Sequence, residues 1–246
     1  MKLDEHNNLI RDGVKSIVNP ADLNALTMAL ELREIVGGNV TVLTMGPPSA
    51  DIAIKECIAM GADKGYIVSS RNFKGSDTLA TSYTLTMAIK SLGEFDIIFT
   101  GTQSIDGDTG QVGPELSYNL GMNLVGYVNK FEYTEDGLIL YRQSEEGVQK
   151  VKSKLPLLVS VLRDSNSFVK LTEEEIEECS ANIIILSDED IDADPDKIGI
   201  EGSPTIVAGI IPPELREIGV IIKGDTAEEK VDNLINILKE KTTLGW

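Results

Sequence analysis

The sequence predicts an α/β fold in which helices cover both faces of a parallel β-sheet. Through the first hundred residues, short apolar runs typical of strands alternate with longer segments of helical periodicity. Hydrophobic residues make up 41% of the 246 residues, enough for the core of one large or two small domains. After Gly121 the alternation gives way to closely spaced strand-like runs. This change indicates an antiparallel β extension of the parallel sheet.

The first helix is predicted over residues 20–37. Pro20 suits the first turn, because the backbone N–H that proline lacks has no partner in the helix at that position. Gly37 suits the end of the helix. Four aliphatic residues fall near one helical face: Leu23, Leu26, Leu30 and Ile35.

The elements that follow repeat a strand–helix order. Strands are predicted over 39–45, 65–70 and 95–100, and helices over 48–61 and 76–93, the latter with an Asp or Ser cap. A strand, a helix and a further strand in this order favour parallel pairing, since the helix returns the chain to the same end of the sheet.

The second half begins with a predicted hairpin region. Asp136-Gly137 and Glu146-Gly147 each separate two strand-like runs, and Asp-Gly is a strong hairpin signal. Residues 155–161 are almost wholly apolar and are predicted to form a buried strand.

From Asp164 onward the chain is polar and acidic, and apart from a solvated helix start at Glu173, Glu174 and Glu175 we expect no regular element before a helix over 225–241. We therefore expect a nucleotide-binding α/β domain over residues 1–163. Residues 164–246 are expected to form a docking loop and an arm that packs on a partner subunit, because they have too little apolar surface to close a core of their own.

The glycine-rich loop at residues 101–113 lies between a predicted strand and a predicted helix. In open parallel sheets, ligands bind beyond the carboxyl ends of the strands. Glycines let the backbone approach a ligand closely, and a helix N-terminus offers unpaired N–H groups to an anion. The loop therefore predicts a phosphate or pyrophosphate cradle, and the alternative is a glycine-rich loop without a ligand.

Two details of this loop stay open in the sequence. Asp108 and Gln111 fit a capping box that starts the helix at Asp108, whereas the other register starts it at Pro114. Asp106 and Asp108 carry the wrong sign for a phosphate site. A capping Asp108 would face the helix amides, and Asp106 is able to accept a hydrogen bond from a ribose hydroxyl.

Composition excludes several function classes. Acidic residues outnumber basic ones 40 to 22, a net charge of −18, which argues against a nucleic-acid or anionic-membrane partner. We expect no membrane insertion, because no apolar run reaches about 18 residues, and a cytoplasmic location, because the start has no apolar signal segment.

The residues that carry chemistry in many enzymes are scarce. Cys57 and Cys179 are far apart and His6 is the only histidine, so we expect no metal site. No histidine lies near Ser203 in sequence to activate it, so no catalytic nucleophile is expected.

Several motifs together resemble the β subunit of an electron-transfer flavoprotein. They are residues 19–22, 44–63, 77–83, 101–116 and 199–205. Residues 142–160 also resemble the signature of that family, although Leu140 departs from the small or β-branched residue usual just before it. The resemblance implies a Rossmann-like sheet of the adenine-nucleotide α-hydrolase type, and it covers nearly the whole chain.

The resemblance implies a nucleotide at the strand ends. Ordinary members of the family bind AMP there, and electron-bifurcating members bind a second FAD; the loop from Asp106 to Pro114 resembles the FAD-binding group. Carried over by position, the contacting residues are Asn19, Pro20, Ala21, Asp22, Met45, Gly46, Ser104, Ile105, Asp106, Gly107, Asp108, Thr109, Gly110, Gln111 and Val112. For Asn19, a plain helix cap before Pro20 is the alternative.

The resemblance also implies partners and an activity. The chain would pair with an α subunit that holds the other FAD. It would pass electrons from NADH to ferredoxin or flavodoxin and, through the α-subunit FAD, to an acyl-CoA dehydrogenase. The alternatives are a non-bifurcating electron carrier with structural AMP, and a nucleotide-binding regulatory module without redox activity.

Two departures from the family pattern bear on these expectations. The family begins with a strand ahead of the segment that resembles residues 2–14 here, and we expect that central strand to be missing because of a misplaced start. The family docking loop is usually basic, whereas residues 163–178 are acidic here, so the redox partner is expected to differ.

Overall fold

The structure is a computed structural model that describes residues 17–206 and 219–241. These two ranges belong to separate compact units. The expectation of a missing first strand concerns a part of the sequence that lies outside the described residues.

The larger unit contains eight strands and five α-helices within its described residues. The strands are β1 (Thr41–Met45), β2 (Lys64–Val68), β3 (Ile97–Gly101), β4 (Asn123–Thr134), β5 (Gly137–Ser144), β6 (Gly147–Lys152), β7 (Leu157–Val161) and β8 (Ile183–Leu186). The helices are α1 (Pro20–Val36), α2 (Asp51–Ala59), α3 (Thr78–Leu92), α4 (Val112–Leu120) and α5 (Glu173–Glu178).

The strands form two sheets, which confirm the predicted α/β class. The first sheet has the order β1-β2-β8 and is parallel throughout. The second has the order β3-β7-β4-β5-β6, with parallel pairing from β3 to β4 and antiparallel pairing from β4 to β6. Both predicted hairpin turns are present, since Thr134 pairs with Gly137 and Ser144 with Gly147.

The helix start expected at Glu173 is confirmed by α5, but the expectation of no other regular element between Asp164 and residue 225 is wrong. Residues 183–186 form β8, which pairs in parallel register with β2 through Ile67 and Ile185. A short aliphatic run thus completes a sheet of the larger unit. That the segment after residue 163 also acts as a docking loop and arm stays a prediction.

Helix α1 covers the second sheet. Its Ala25, Met28 and Leu32 pack against the buried strand β7 and the inner residues of β4 and β5. Every residue of β7 is buried, as the sequence predicted. Ile35, expected on the buried face, is 56% exposed, and the last buried residue of α1 is Leu32.

Buried polar groups of α1 also tie it to the chain that follows β7. Asn24 is fully buried, and its Nδ2 donates to the backbone oxygen of Asn166 at 2.8 Å. Its Oδ1 accepts from the Asp164 backbone N–H at 3.0 Å. Because these partners satisfy the amide, Asn24 fixes where the chain runs after the sheet.

The segment at 199–205, one of the family-like motifs, is anchored on α3. Asp77 caps that helix by accepting from the Ala80 N–H at 3.1 Å, as the sequence predicted for an Asp cap. The same carboxylate accepts from the Thr205 hydroxyl at 2.7 Å. Burial raises the pKa of Asp77, but the hydrogen bonds from Thr205 and Ala80 outweigh it, so the net pKa is lowered.

Cys57 is a core residue of α2, as expected. It is buried beside Leu26 and Ala62, and burial raises the pKa of its thiol to about 12. A thiol with that pKa stays protonated at neutral pH and is a poor nucleophile.

In the smaller unit, residues 227–241 form α6 (Ala227–Lys241), where the sequence predicts a helix. Asn233 of α6 donates to the backbone oxygen of Lys223 at 3.0 Å, which holds the preceding segment against the helix. Across the described ranges, no helix combines the length and the apolar character needed to cross a membrane.

Candidate functional site

The glycine loop connects the carboxyl end of β3 to the start of α4. It runs from Thr102 to Gln111, and most of its residues are exposed. Thr102 continues the strand direction, because its backbone N–H donates to the Val161 oxygen of β7 at 2.9 Å. The loop therefore leaves the sheet at the edge where parallel α/β sheets bind ligands.

Asn19 holds the middle of this loop. Its Nδ2 donates to the Gln103 backbone oxygen at 3.0 Å, and its Oδ1 accepts from the Ile105 N–H at 3.2 Å. Asn19 occupies the N-cap position of α1, but its side chain makes no capping hydrogen bond there. The alternative of a plain helix cap is therefore wrong for the side chain.

Asp22 joins the first turn of α1 to the end of β3. Its Oδ1 accepts from the Gly101 N–H at 2.6 Å, and its Oδ2 accepts from Asn19 Nδ2 at 2.8 Å. A Cβ at Gly101 would lie 2.8 Å from the Cβ of Ala21, closer than real contacts allow. Pro20 and Ala21 lie in the first turn of α1, and only a glycine at position 101 lets this turn come so close to the end of β3.

The acidic residues of the loop bind within the loop. Asp108 accepts from Gln103 Nε2 through its Oδ1, and Asp106 accepts from the Gly107 N–H at 2.9 Å. The Ser104 hydroxyl also accepts from the Gly107 N–H, at 3.2 Å. These contacts explain how two aspartates occur in a loop predicted to face an anion.

Helix α4 begins at Val112, between the two starts that the sequence allows. The predicted capping box is wrong: Asp108 has a φ of 54° and binds Gln103, and Gln111 is the N-cap residue. Pro114 takes the third helical position, where its missing N–H costs nothing because the first-turn amides have no partner in the helix. Oε1 of Gln111 accepts a hydrogen bond from the Thr78 hydroxyl of α3 at 3.4 Å.

The remaining predicted site residues lie less centrally. Met45 ends β1 and Gly46 follows it, with the Gly46 N–H donating to the Val68 oxygen at 3.0 Å. Among the described residues, no hydrogen bond joins them to the glycine loop. Thr109 is exposed on the loop between Asp108 and Gly110.

Beside the loop lies a cavity of about 170 Å³ that the sequence reasoning did not anticipate. Gly110 is its only lining residue among the predicted ones; the others are Thr102, Pro114, Leu124, Gly126, Tyr127, Arg142 and Ser160. These residues come from β4, β5, β7 and both ends of the loop. Their separation in sequence leaves no local pattern by which to find them.

The groups exposed at this site are suited to binding a ligand. The site offers bare backbone, a helix N-terminus and hydroxyl groups, which suit the phosphate and ribose of a nucleotide. Gly110 has a φ of 65°, a left-handed conformation that favours glycine, whereas a Cβ there would make an ordinary contact with the Thr102 oxygen at 3.4 Å. In the portion that the structure describes, no three His, Cys, Asp or Glu side chains cluster as metal ligands.

Comparison with known proteins agrees with the resemblance seen in the sequence. The family model described as "Electron transfer flavoprotein domain" matches residues 7–190. The electron transfer flavoprotein subunit beta of Thermoanaerobacterium thermosaccharolyticum is 39% identical over 242 residues, covering 95% of this chain and 90% of the relative.

Two further relatives belong to named reductase systems. The caffeyl-CoA reductase–Etf complex subunit CarD of Acetobacterium woodii is 40% identical, over 95% of this chain and 90% of its own. The acryloyl-CoA reductase electron transfer subunit gamma of Anaerotignum propionicum is 38% identical, with the same coverage of 95% and 90%.

The Asn19 clamp predicts that Asn19→Ala loosens the loop without unfolding the protein. Hydrogen bonds of this kind contribute about 0.5–1.5 kcal/mol each, so amide exchange of Ile105 should accelerate several-fold to about tenfold. Hydrogen–deuterium exchange of peptides from residues 101–112 measures this. Asn182→Ala, which removes an exposed amide before β8, serves as the control. Equal exchange in both variants would show that Asn19 does not hold the loop.

Proposed function

Because the chain belongs to the electron transfer flavoprotein family as a β subunit, we propose that it is of the electron-bifurcating type. In this role it pairs with an α subunit and takes electrons from NADH. One electron passes to ferredoxin or flavodoxin, and the other passes through the α subunit to an acyl-CoA dehydrogenase.

The observation that carries this proposal is the exposed glycine loop at the carboxyl end of β3, which Asn19 holds in place. Gly101, Gly107, Gly110 and Gly113 are exposed or half-buried, and together with the start of α4 they form a surface of backbone groups. The neighbouring carboxylates of Asp22, Asp106 and Asp108 accept hydrogen bonds within the protein. The donors are Asn19, Gly101, Gln103 and Gly107. This arrangement suits the phosphate of a nucleotide, for which we propose FAD, with AMP as the alternative.

Two further facts favour the bifurcating type. The loop from Asp106 to Pro114 resembles that of the FAD-binding group. The names of two relatives place them with caffeyl-CoA and acryloyl-CoA reductases, which act on unsaturated acyl thioesters. An acyl-CoA dehydrogenase as the electron partner of this chain follows that chemistry.

The protein's own contribution is position and electrostatics. FAD, when bound, supplies the exchange between two-electron and one-electron chemistry. Asn19 and the residues of the glycine loop would hold the adenosine and phosphate end. Asp106 would accept from a ribose hydroxyl. No residue of this chain is proposed to act as a nucleophile or as a general acid or base.

The nucleotide content of the purified heterodimer tests the proposal. We expect two FAD per heterodimer, and NADH oxidation that becomes fast only when ferredoxin and an acyl-CoA-type acceptor are both present. One FAD plus tightly bound AMP would instead identify a non-bifurcating electron carrier. A nucleotide without any flavin would identify a regulatory module without redox activity.

Gly110→Val tests whether the glycine loop is where that nucleotide binds. The branched side chain would project toward the phosphate, so nucleotide retained after gel filtration should fall at least several-fold. Gly121→Val is the matched control, because Gly121 has nearly the same φ, 66° against 65°, but open space around its Cα. Both variants bear the same backbone strain. Equal nucleotide loss from both would assign the effect to strain.

The acidic docking segment at 163–178 predicts a redox partner with a basic face. Glu175 accepts from the Thr172 N–H at 2.7 Å in a capping box, so we leave it unchanged and replace Glu173 and Glu174 by Gln. Electron transfer to the dehydrogenase should slow, most clearly at low salt, because rim charges mainly set association rates.

The control for this variant is Glu145→Gln with Glu146→Gln, which removes the same charge from the β5–β6 turn. Stopped-flow rates at two salt concentrations give the comparison. An unchanged or faster rate for the Glu173 and Glu174 variant would show that these acids are solvated surface.

A further inference from the structure

The cavity beside the glycine loop lies where the parallel and antiparallel parts of the second sheet meet. Its lining includes Ser160 of β7, Thr102 after β3, Tyr127 of β4 and Arg142 of β5. Its volume of about 170 Å³ is below the 300–1,000 Å³ typical of whole-ligand pockets. It is therefore sized for one group of a ligand.

A β-bulge shapes this cavity. The pairing of β4 with β7 shifts register between Val125 and Val128, and Tyr127 has a φ of 61°. Gly126 and Tyr127, the two residues of the shift, both line the cavity. Bulges bend a strand and redirect its side chains, and they recur next to functional sites. Val128 pairs with Arg142 of β5, and the β4–β5 register shifts again between Val128 and Lys130.

Arg142 is a cation without a partner in this cavity. Its Nε is buried, and among residues 17–206 and 219–241 nothing accepts a hydrogen bond from it. Nor does any described carboxylate form an ion pair with it. The residue as a whole is half-buried, and a buried polar atom left without a hydrogen-bond partner is destabilising. The site would be stabilised by an anion.

The surroundings of Arg142 have the sign that an anion requires. Among the residues that the structure describes, those lining the cavity include no acidic one, although the chain carries a net charge of −18. Pro114, in the first turn of α4, lines the same cavity, so the positive end of that helix lies nearby. Ser160 and Thr102 add hydroxyl groups.

We propose that this cavity binds a phosphate group of the nucleotide and that Arg142 pairs with its charge. The proposal rests on the proposed nucleotide-binding function and specifies where the phosphate lies. Arg142 would donate to the phosphate oxygens from the side of β5, and Gly110 lets the backbone of the loop come close from the other side.

Titration calorimetry with AMP and with adenosine tests this assignment. The protein is the full-length chain with its α subunit, freed of nucleotide in the β site. Arg142→Gln should weaken AMP binding about 10- to 100-fold, the range of a hydrogen bond to a charged group. Adenosine binding should not change, because adenosine has no phosphate. Arg142→Lys should restore part of the affinity for AMP.

Lys150→Gln is the matched control. It removes the same charge from the neighbouring strand β6, where Lys150 lies exposed over the ring of Tyr141. It should leave both affinities unchanged. Melting temperatures of the nucleotide-free variants show whether Arg142→Gln alters the fold.

Three outcomes would overturn the assignment. AMP binding that is unchanged in Arg142→Gln is one. Equal weakening of AMP and adenosine, with a lower melting temperature, would show a structural role. Loss of FAD binding alone would place the guanidinium at the flavin ring.

A titration with inorganic phosphate separates this proposal from the proposed function. If the unaltered protein binds neither adenosine nor AMP, the nucleotide site itself is wrong. Inorganic phosphate still reports on the cavity in that case. Phosphate binding that disappears in Arg142→Gln supports the anion site, and phosphate binding that is absent or independent of Arg142 overturns it.

Discussion

The candidate site depends on the contact between the first turn of α1 and the end of β3. The Asp22 carboxylate accepts from the Gly101 N–H at 2.6 Å, and Gly101 has no Cβ to keep Ala21 away. This close approach brings Asn19 within reach of the loop backbone on both sides of Ser104. The conformation of the loop is thereby fixed by residues more than eighty positions earlier in the chain.

The same contact resolves an electrostatic conflict. A strongly acidic chain that binds a phosphate must keep its own carboxylates from facing the ligand, because like charges repel across short distances. Asp22 and Asp108 each accept from a donor within the loop or the adjoining strand end. In these contacts the carboxylates fix the backbone that, in the proposed site, would face the anion. The sequence places aspartates beside a predicted phosphate site, and these hydrogen bonds show that the carboxylates have partners within the protein.

Sequence reasoning succeeds where structure follows from local periodicity and fails where it follows from distant contacts. The strand–helix alternation, the two hairpin turns and the buried strand β7 could all be predicted, because each has a pattern of its own. Strand β8 could not, since four aliphatic residues in an acidic segment gain their role only by pairing with β2. The start of α4 at Val112 likewise depends on Gln103, which binds Asp108 and so prevents the expected cap. The clamp formed by Asn19 and the cavity at Arg142 depend on pairs of residues that are distant in sequence.

The antiparallel extension takes on a specific role once Arg142 is considered. Strands β5 and β6 add no residue to the loop, and by sequence they extend a sheet that is already formed. Yet the two residues of the bulge, Gly126 and Tyr127, line the cavity. The neighbouring strand β5 supplies Arg142, the one charged side chain among the described lining residues. A parallel strand end with two aspartates nearby provides hydrogen bonds to an anion but no opposite charge. In the proposed site the extension would supply that charge from outside the loop, which would leave the loop backbone free for a phosphate to approach.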